Sequence, residues 1–256
     1  MADVQWSGAG SDPAQASGVR ATPWNVGDIV KAVVLAVVFI VLAVISVLAA
    51  GLALRFAGIQ LGDSRVLLVV VLVLVQNIGL LLGVWAFGLR KHGAGLDRLG
   101  LRPYLAKMGC AYAAFALLLS FGFNVFYTVV VTGGLGREVT TTPVLPLFGG
   151  GLLGFGVALA IASGIVPFAE EIFFRGFLFP GLARRFGFAA GALLSAVVFG
   201  AAHLSGDSFI PLSFFGLVLA LLYGATGSIF PGIMMHSINN SIALLAAFLV
   251  ESGVLR

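Results

Sequence analysis

The segment from Pro167 to Arg175, P-F-A-E-E-I-F-F-R, decides how this chain folds. It places two adjacent carboxylates and a guanidinium among phenylalanines, within an apolar run from Leu147 to Phe186. A charged side chain at the centre of a bilayer costs about 2.5 to 3.5 kcal/mol on insertion scales, so such residues usually face a protein interior and serve a function. The segment therefore predicts a membrane helix whose charged face is covered by other helices.

The composition indicates an all-α, polytopic integral membrane helical bundle. Of the 256 residues, 60% are hydrophobic and only 9% are charged, against about 25% charged in a soluble domain. The net charge is +4, but five basic residues crowd the short loop between residues 90 and 107, as membrane topology requires. We therefore expect no nucleic-acid partner. Cys110 is the single cysteine, which excludes a disulfide framework and a cysteine-rich metal site.

The apolar runs predict seven or eight transmembrane helices. Their approximate bounds are 29–54, 66–89, 105–132, 147–186, 188–204, 209–226 and 229–250. The fourth run is too long for one simple span, and Pro167 and Pro180 predict a broken helix between them. Residues 1–28 have the composition of a disordered, water-exposed tail, and residues 133–146 that of a polar connection. Residues 29–256 then form one integral membrane domain.

The basic residues predict the orientation in the membrane. The loop from Arg90 to Lys107 and the pair Arg184 and Arg185 mark the cytoplasmic side, which places the N-terminus inside. Because the chain shows no organelle-targeting segment, we expect a multi-pass protein of the plasma membrane, from a bacterium.

Helical phase separates the charges of the opening segment into two groups. Glu171 and Arg175 lie at positions i and i+4 of a helix, with the acid first, which favours an ion pair. Glu170 is turned by about 100°, so it is free to face a cavity and to take up a proton. The alternative is a buried triad of all three residues that only fixes helix packing.

Two later spans carry histidines with polar or aromatic partners. His203 follows Phe199 by one turn, and His236 shares a helix face with Asn240. Each pair alone is typical of hydrogen-bonded packing. Together with Glu170 they supply a base, a second proton-handling group and hydrogen-bond donors, enough to activate water and stabilise an oxyanion.

One other arrangement of these side chains stays open at this point. Glu170 and the two histidines could instead hold a catalytic zinc ion, and the spacing does not decide between these chemistries. The third histidine, His92, lies in the basic loop, where we expect a solvated charge partner.

At these positions the sequence resembles the CPBP family of intramembrane proteases, also called the CAAX-protease or Abi family. The family motif E-E-x-x-x-R is matched by residues 170–175, F-x-x-x-H by residues 199–203, and H-x-x-x-N/D by residues 236–240. The three motifs occur in the family's order, and the resemblance covers roughly residues 147–250.

The resemblance implies a multi-span endopeptidase that acts on membrane-associated peptides or proteins from a site open to the cytoplasm. It implies that Glu170 and His203 activate water, while His236 and Asn240 steady the tetrahedral oxyanion. Glu171, Arg175 and Phe199 would support them. The family is often labelled a metalloprotease, but a metal-free glutamate mechanism is also argued for it. We favour the metal-free mechanism, with no required cofactor, and retain Zn²⁺ on Glu170, His203 and His236 as the alternative.

Rival functions remain at this point. The helical zinc motif H-E-x-x-H is absent. A proton-coupled transporter could use the buried Glu and His side chains as a relay, and an inactive scaffold could bind partner helices. On the protease hypothesis we expect Glu170 to face His203, with His236 and Asn240 across a wet pocket.

Overall fold

The computed structural model describes residues 21–56, 58, 65–136 and 144–254, and this part of the chain is helical and contains no strand. Six of its helices are long and apolar enough to cross a membrane, and a shorter apolar helix lies among them. We number the seven helices in chain order: α1 Val26–Phe56, α2 Val66–Arg90, α3 Ala106–Gly134, α4 Gly151–Phe186, α5 Phe188–Ala202, α6 Phe209–Thr226 and α7 Phe230–Glu251. The prediction of a polytopic helical membrane protein is confirmed.

The predicted break in α4 is wrong. The helix runs without interruption through Pro167 and Pro180, but it changes from α- to π-helical hydrogen bonding over Leu159–Ile165 and again over Ile172–Leu178. Each proline comes two residues after the last residue of a π-helical stretch. The residue between donates its backbone N–H to the carbonyl five residues earlier: Val166 to Ile161, and Phe179 to Phe174. Since a proline ring clashes with the carbonyl four residues earlier, a wider preceding turn lets the helix continue.

Helix α4 lies at the centre of the bundle. Its C-terminal half packs against α5, and α5 packs along α6, while α7 contacts both α3 and the middle of α4. The buried core between these helices is rich in aromatic side chains, among them Phe173, Phe174, Phe177, Phe199 and Phe215. The outer faces of the helices expose many Leu, Val and Ile side chains, as expected of surfaces in contact with lipid.

The last residues of the predicted tail are packed against the bundle. Trp24 is fully buried, and its indole N–H donates to the carbonyl of Phe177 in α4 over 2.8 Å. Arg184 donates to the carbonyls of residues 22, 23 and 24. The boundary at residue 28 is therefore too late, and residues 1–20 of that tail lie outside the described residues.

A capping box at the start of α1 is a sequence signal for an earlier boundary between the tail and the membrane domain. The backbone N–H of Asn25 donates to Asp28 Oδ2 over 3.1 Å, and that of Asp28 donates to Asn25 Oδ1 over 3.2 Å. This reciprocal pattern is a helix N-terminus signal. Asp28 is buried and also binds Lys91 and His92, so His92 is a charge partner, as predicted, but one that is largely covered.

The basic loop between α2 and α3 is attached to the start of α7. The hydroxyl of Ser228 donates to the carbonyl of Arg102 over 2.8 Å, and the N–H of Ile229 donates to that of Gly100 over 3.0 Å. The side chain of Arg102 donates to the carbonyl of Gly227. These bonds fix the first turn of α7, two turns before His236. The predicted connection at 133–146 lies partly outside the described residues.

Candidate active site

Glu171 and Arg175 form the ion pair that their spacing predicts. Arg175 Nη1 donates to Glu171 Oε1 over 2.9 Å, and both side chains are almost completely buried. Arg175 Nη2 also donates to the carbonyl of Gly216 in α6 over 3.0 Å. The pair therefore ties α4 to α6, because a buried guanidinium needs partners for its donors.

Phe199 packs between the charged groups and both histidines. Its ring centroid is 4.5 Å from the Arg175 guanidinium carbon. It is also 4.8 Å from the His203 ring centroid and 5.9 Å from that of His236. A cation over an aromatic face is attracted by the ring quadrupole. Phe199 thus contacts Arg175, His203 and His236 with one ring.

Glu171 binds Arg175 and His236 through Oε1 and leaves its Oε2 without a partner among the described residues, whereas Glu170 makes no side-chain hydrogen bond to any of them. Glu170 is only 7% exposed, and its Oε2 has no hydrogen-bond partner among the described residues. The nearest charged or imidazole group is His236, whose Nε2 lies 3.9 Å from Glu170 Oε2. A buried carboxylate oxygen with no partner needs an explanation, and a catalytic role or a bound water supplies one.

His236 lies between the two carboxylates. Its Nδ1 is 3.1 Å from Glu171 Oε1, and because an ionised carboxylate only accepts, Nδ1 carries the proton. Nε2 is then directed towards Glu170. Glu171 thus has a second role that we did not predict, since it orients His236 as well as pairing with Arg175.

Two residues that we did not predict shape this cluster. The Phe215 ring lies edge-on to His236 with centroids 5.2 Å apart. A Cβ atom at Gly232 would lie 3.0 Å from Glu171 Oε2, so only glycine leaves the carboxylate its present position without adjustment. Gly232 lies four residues before His236, and this shared helix face was the available sequence signal.

Asn240 joins α7 to the first π-helical stretch of α4. Its Nδ2 donates to the carbonyl of Ala162 over 2.8 Å, and its Oδ1 accepts a bond from Asn239 over 3.4 Å. An amide nitrogen has two hydrogens, so one N–H of Asn240 is left for another acceptor. His236 and Asn240 do share a helix face, but no direct contact joins Asn240 to Glu170 in the described residues.

His203 differs most from its expected position. It follows the last residue of α5, and its Nδ1 donates to the carbonyl of Phe199 over 2.8 Å. A histidine near a helix C-terminus often binds one of the last free carbonyls in this way. The residue is exposed, and no hydrogen bond or ion pair joins it to Glu170. His203 Nε2 makes no hydrogen bond to a described residue, and the rings of His203 and His236 both contact Phe199.

The three side chains considered for zinc are not arranged as a metal site. Among the described residues, no group of three or more His, Cys, Asp or Glu side chains is placed to hold a metal ion. His236 Nδ1 is already bound to Glu171, and His203 contacts neither Glu170 nor His236 by a polar atom. The present geometry does not fit the ion, so no reaction step below uses it.

The fold and the site together define a class of protein. It is an integral membrane helical bundle in which the buried carboxylate of Glu170 lies beside the imidazole of His236, and Glu171 orients that imidazole.

The comparisons with known proteins are consistent with that class. Residues 152–242 match the family model described as "Type II CAAX prenyl endopeptidase Rce1-like". The chain is also 27% identical over 112 residues to "Putative membrane peptidase YdiL" of Bacillus subtilis (strain 168), a match that covers 44% of this chain and 45% of that protein. The chain therefore spans under half the length of the curated relative it matches. No solved structure matches the chain.

The family match covers every residue from Glu170 to Asn240 that we selected as a candidate. The resemblance of this segment to the CPBP intramembrane proteases is confirmed, and at the level of the family it supports an intramembrane protease.

Proposed function

We propose that this protein is an endopeptidase that hydrolyses peptide bonds of membrane-associated peptides or proteins with water activated by Glu170. The observation that carries the proposal is the buried Oε2 of Glu170, which has no hydrogen-bond partner among the described residues and lies 3.9 Å from His236 Nε2. A hydrolase needs such an acceptor, since the attacking water must lose a proton.

The reaction begins with proton transfer from water to the Glu170 carboxylate. The oxygen of that water attacks the carbonyl carbon of the substrate, and the carbonyl oxygen becomes the oxyanion of a tetrahedral intermediate. The protonated Glu170 then gives its proton to the leaving nitrogen as the C–N bond breaks. The products are a carboxylic acid and an amine, so one water is consumed and Glu170 is regenerated.

His236 and Asn240 are placed to stabilise the oxyanion. Glu171 holds the proton on His236 Nδ1, so a second proton on Nε2 makes an imidazolium that can donate to the developing charge. Asn240 has one N–H beyond its bond to Ala162. Arg175 holds Glu171 in place through their ion pair, so its role is to position the residues that act.

His203 acts from the edge of the site in this proposal. Its Nδ1 is fixed by the Phe199 carbonyl, which leaves Nε2 as the nitrogen that can exchange a proton with water or substrate. Substrate entry or a small movement of the last turn of α5 would bring it to the scissile bond. Removal of this imidazole should therefore lower activity without unfolding the bundle.

The proposal extends to location and substrate. The basic loop and Arg184 and Arg185 support a site nearer the cytoplasmic side of a bacterial plasma membrane, and the relative from Bacillus subtilis supports a bacterial source. The substrate then lies in or on the bilayer, where the outward apolar faces of the bundle place this protein.

Purified protein in detergent tests the proposal directly. The wild type should cleave members of a broad peptide library, and Glu170→Ala and His203→Ala should each lower kcat/KM by at least a hundredfold. Glu251→Ala, at an exposed carboxylate at the end of α7, is the matched control. Absence of any cleavage by the wild type would refute the activity, and full activity in both site variants would refute the site.

A further inference from the structure

A cavity of about 300 Å³ lies between α3, α6 and α7, next to the candidate active site. Its volume is at the lower end of the range for ligand pockets, about 300 to 1,000 Å³. Helix α3 contributes Ser120, Asn124 and Tyr127 to its wall, and α7 contributes Asn239. The part of the wall from α3 lies outside the segment that matches the protease family.

The wall of this cavity is unusually polar for a membrane span. Side-chain amides inside a span are costly unless they face protein or water. Ser120 is buried in the wall, and its hydroxyl has no hydrogen-bond partner among the described residues. Asn124 and Asn239 bring two amides to the same space. Asn239 already donates to Asn240 over 3.4 Å, whereas the amide of Asn124 is exposed and can bind an occupant of the cavity.

The turn between α5 and α6 supports the same conclusion. Helix α5 has 15 residues, about 22 Å at helical rise, which is short of the roughly 30 Å of the hydrocarbon core. From that length we infer that the chain turns within the membrane, where irregular backbone is tolerated only if it is buried or lines an aqueous cavity. Asp207 and Ser208 of this turn do line the cavity.

The cavity is continuous with the candidate active site. Phe215 belongs to its wall and contacts the His236 ring. Asn239 also belongs to its wall and donates to Asn240. Only the side chain of Phe215 or Asn239 would therefore separate an occupant of the cavity from His236 and Asn240, which we propose to act on the peptide bond.

The lining residues select the chemistry of that occupant. A side-chain amide offers a donor and an acceptor together, which complements the N–H and C=O groups of a peptide backbone. The rings of Tyr127 and Phe215 offer apolar contact. The lining contains no Lys or Arg, so it provides no counter-charge for a phosphate or carboxylate. Asp207 is the charged residue of the lining, and its side chain already interacts within the protein.

We propose that this cavity binds an extended, uncharged peptide segment of the substrate beside the scissile bond, and that Asn124 is a specificity-determining residue that hydrogen-bonds its backbone. This inference rests on the proposed function. A lipid chain or water alone would be the other occupants, and the two measurements below separate them.

The first measurement compares Asn124→Ala with Asn77→Ala, using the most rapidly cleaved member of a quenched-fluorescence library of uncharged decapeptides. Asn77 is a buried amide of α2 that does not line the cavity. The loss of one hydrogen bond to the substrate should raise KM roughly 3- to 10-fold in Asn124→Ala, with kcat within twofold. Asn77→Ala should change neither. An unchanged KM in Asn124→Ala, or an equal rise in both variants, would overturn the proposal.

The second measurement does not depend on activity. In a Cys110→Ala background, Asn124→Cys in proteoliposomes should react at least tenfold faster with a charged maleimide than Leu118→Cys, whose position is exposed on the same helix. The decapeptide library should slow the labelling at least threefold. Equal rates would show a lipid-filled cavity, and fast labelling without protection would show one that holds water alone; either result overturns the proposal.

The two measurements also separate failure of the cavity from failure of the proposed function. If the wild type cleaves no peptide, the proposed function fails, whereas protection of Asn124→Cys still supports peptide binding here.

Discussion

Removal of Arg175 should destabilise the bundle more than any other single change of a charged residue in α4. Arg175→Met keeps a long apolar side chain but deletes the donors to Glu171 at 2.9 Å and to the Gly216 carbonyl at 3.0 Å. It leaves two buried carboxylates without a cation. Loss of one partner of a buried pair costs about 3 to 5 kcal/mol, and we expect that loss in the free energy of unfolding.

A double-mutant cycle in SDS-induced unfolding from mixed micelles measures this directly. Glu171→Gln alone should cost less, about 1 to 3 kcal/mol, because the amide still accepts a hydrogen bond. The double variant should lose about 1 to 3 kcal/mol less than the sum of the two single changes. Arg185→Met, at an exposed position of the same helix, should stay within about 0.5 kcal/mol of wild type. Additive losses, or a loss below about 1 kcal/mol for Arg175→Met, would refute the coupling between this pair and the fold.

Two further changes test the surroundings of the site. Gly232→Ala places a Cβ 3.0 Å from Glu171 Oε2, and the displaced carboxylate should lower kcat about tenfold. Gly122→Ala, where no atom lies within 4 Å, is its control, and equal kcat values in the two variants would contradict the expected role of Gly232. Trp24→Phe removes the bond to Phe177 and should lower the free energy of unfolding by about 0.5 to 1.5 kcal/mol. Trp85→Phe, at a half-exposed ring, should lower it less; the reverse order would mean that the N-terminal segment does not stabilise α4.

The features that were predictable from the sequence are those that depend on local geometry. The Glu171–Arg175 pair follows from a four-residue spacing on one helix, and that spacing is independent of the rest of the fold. The helix bounds follow from the lengths of apolar runs. The predicted break between Pro167 and Pro180 failed because two π-helical stretches absorb the prolines, and their position depends on packing around α4.

The contacts between helices were not predictable in the same way. Glu170 was paired with His203 from motif order, whereas the structure places His236 closest to it. Which histidine lies closest to Glu170 depends on how α5 ends, because His203 binds a carbonyl in the last turn of that helix. The cavity beside Asn124 could not be predicted from the sequence either, since tertiary packing brings its lining residues together from α3, α6, α7 and the turn before α6.

The central claim is that Glu170 acts on water while Glu171 and Arg175 hold the site together. Glu170→Gln tests it most directly, with peptide cleavage and the free energy of unfolding measured on the same purified protein. Because Glu170 Oε2 has no partner to lose, we predict that kcat/KM falls by at least a hundredfold while the free energy of unfolding stays equal to that of wild type or rises. Retained activity, or a loss of stability as large as that of Arg175→Met, would contradict the claim.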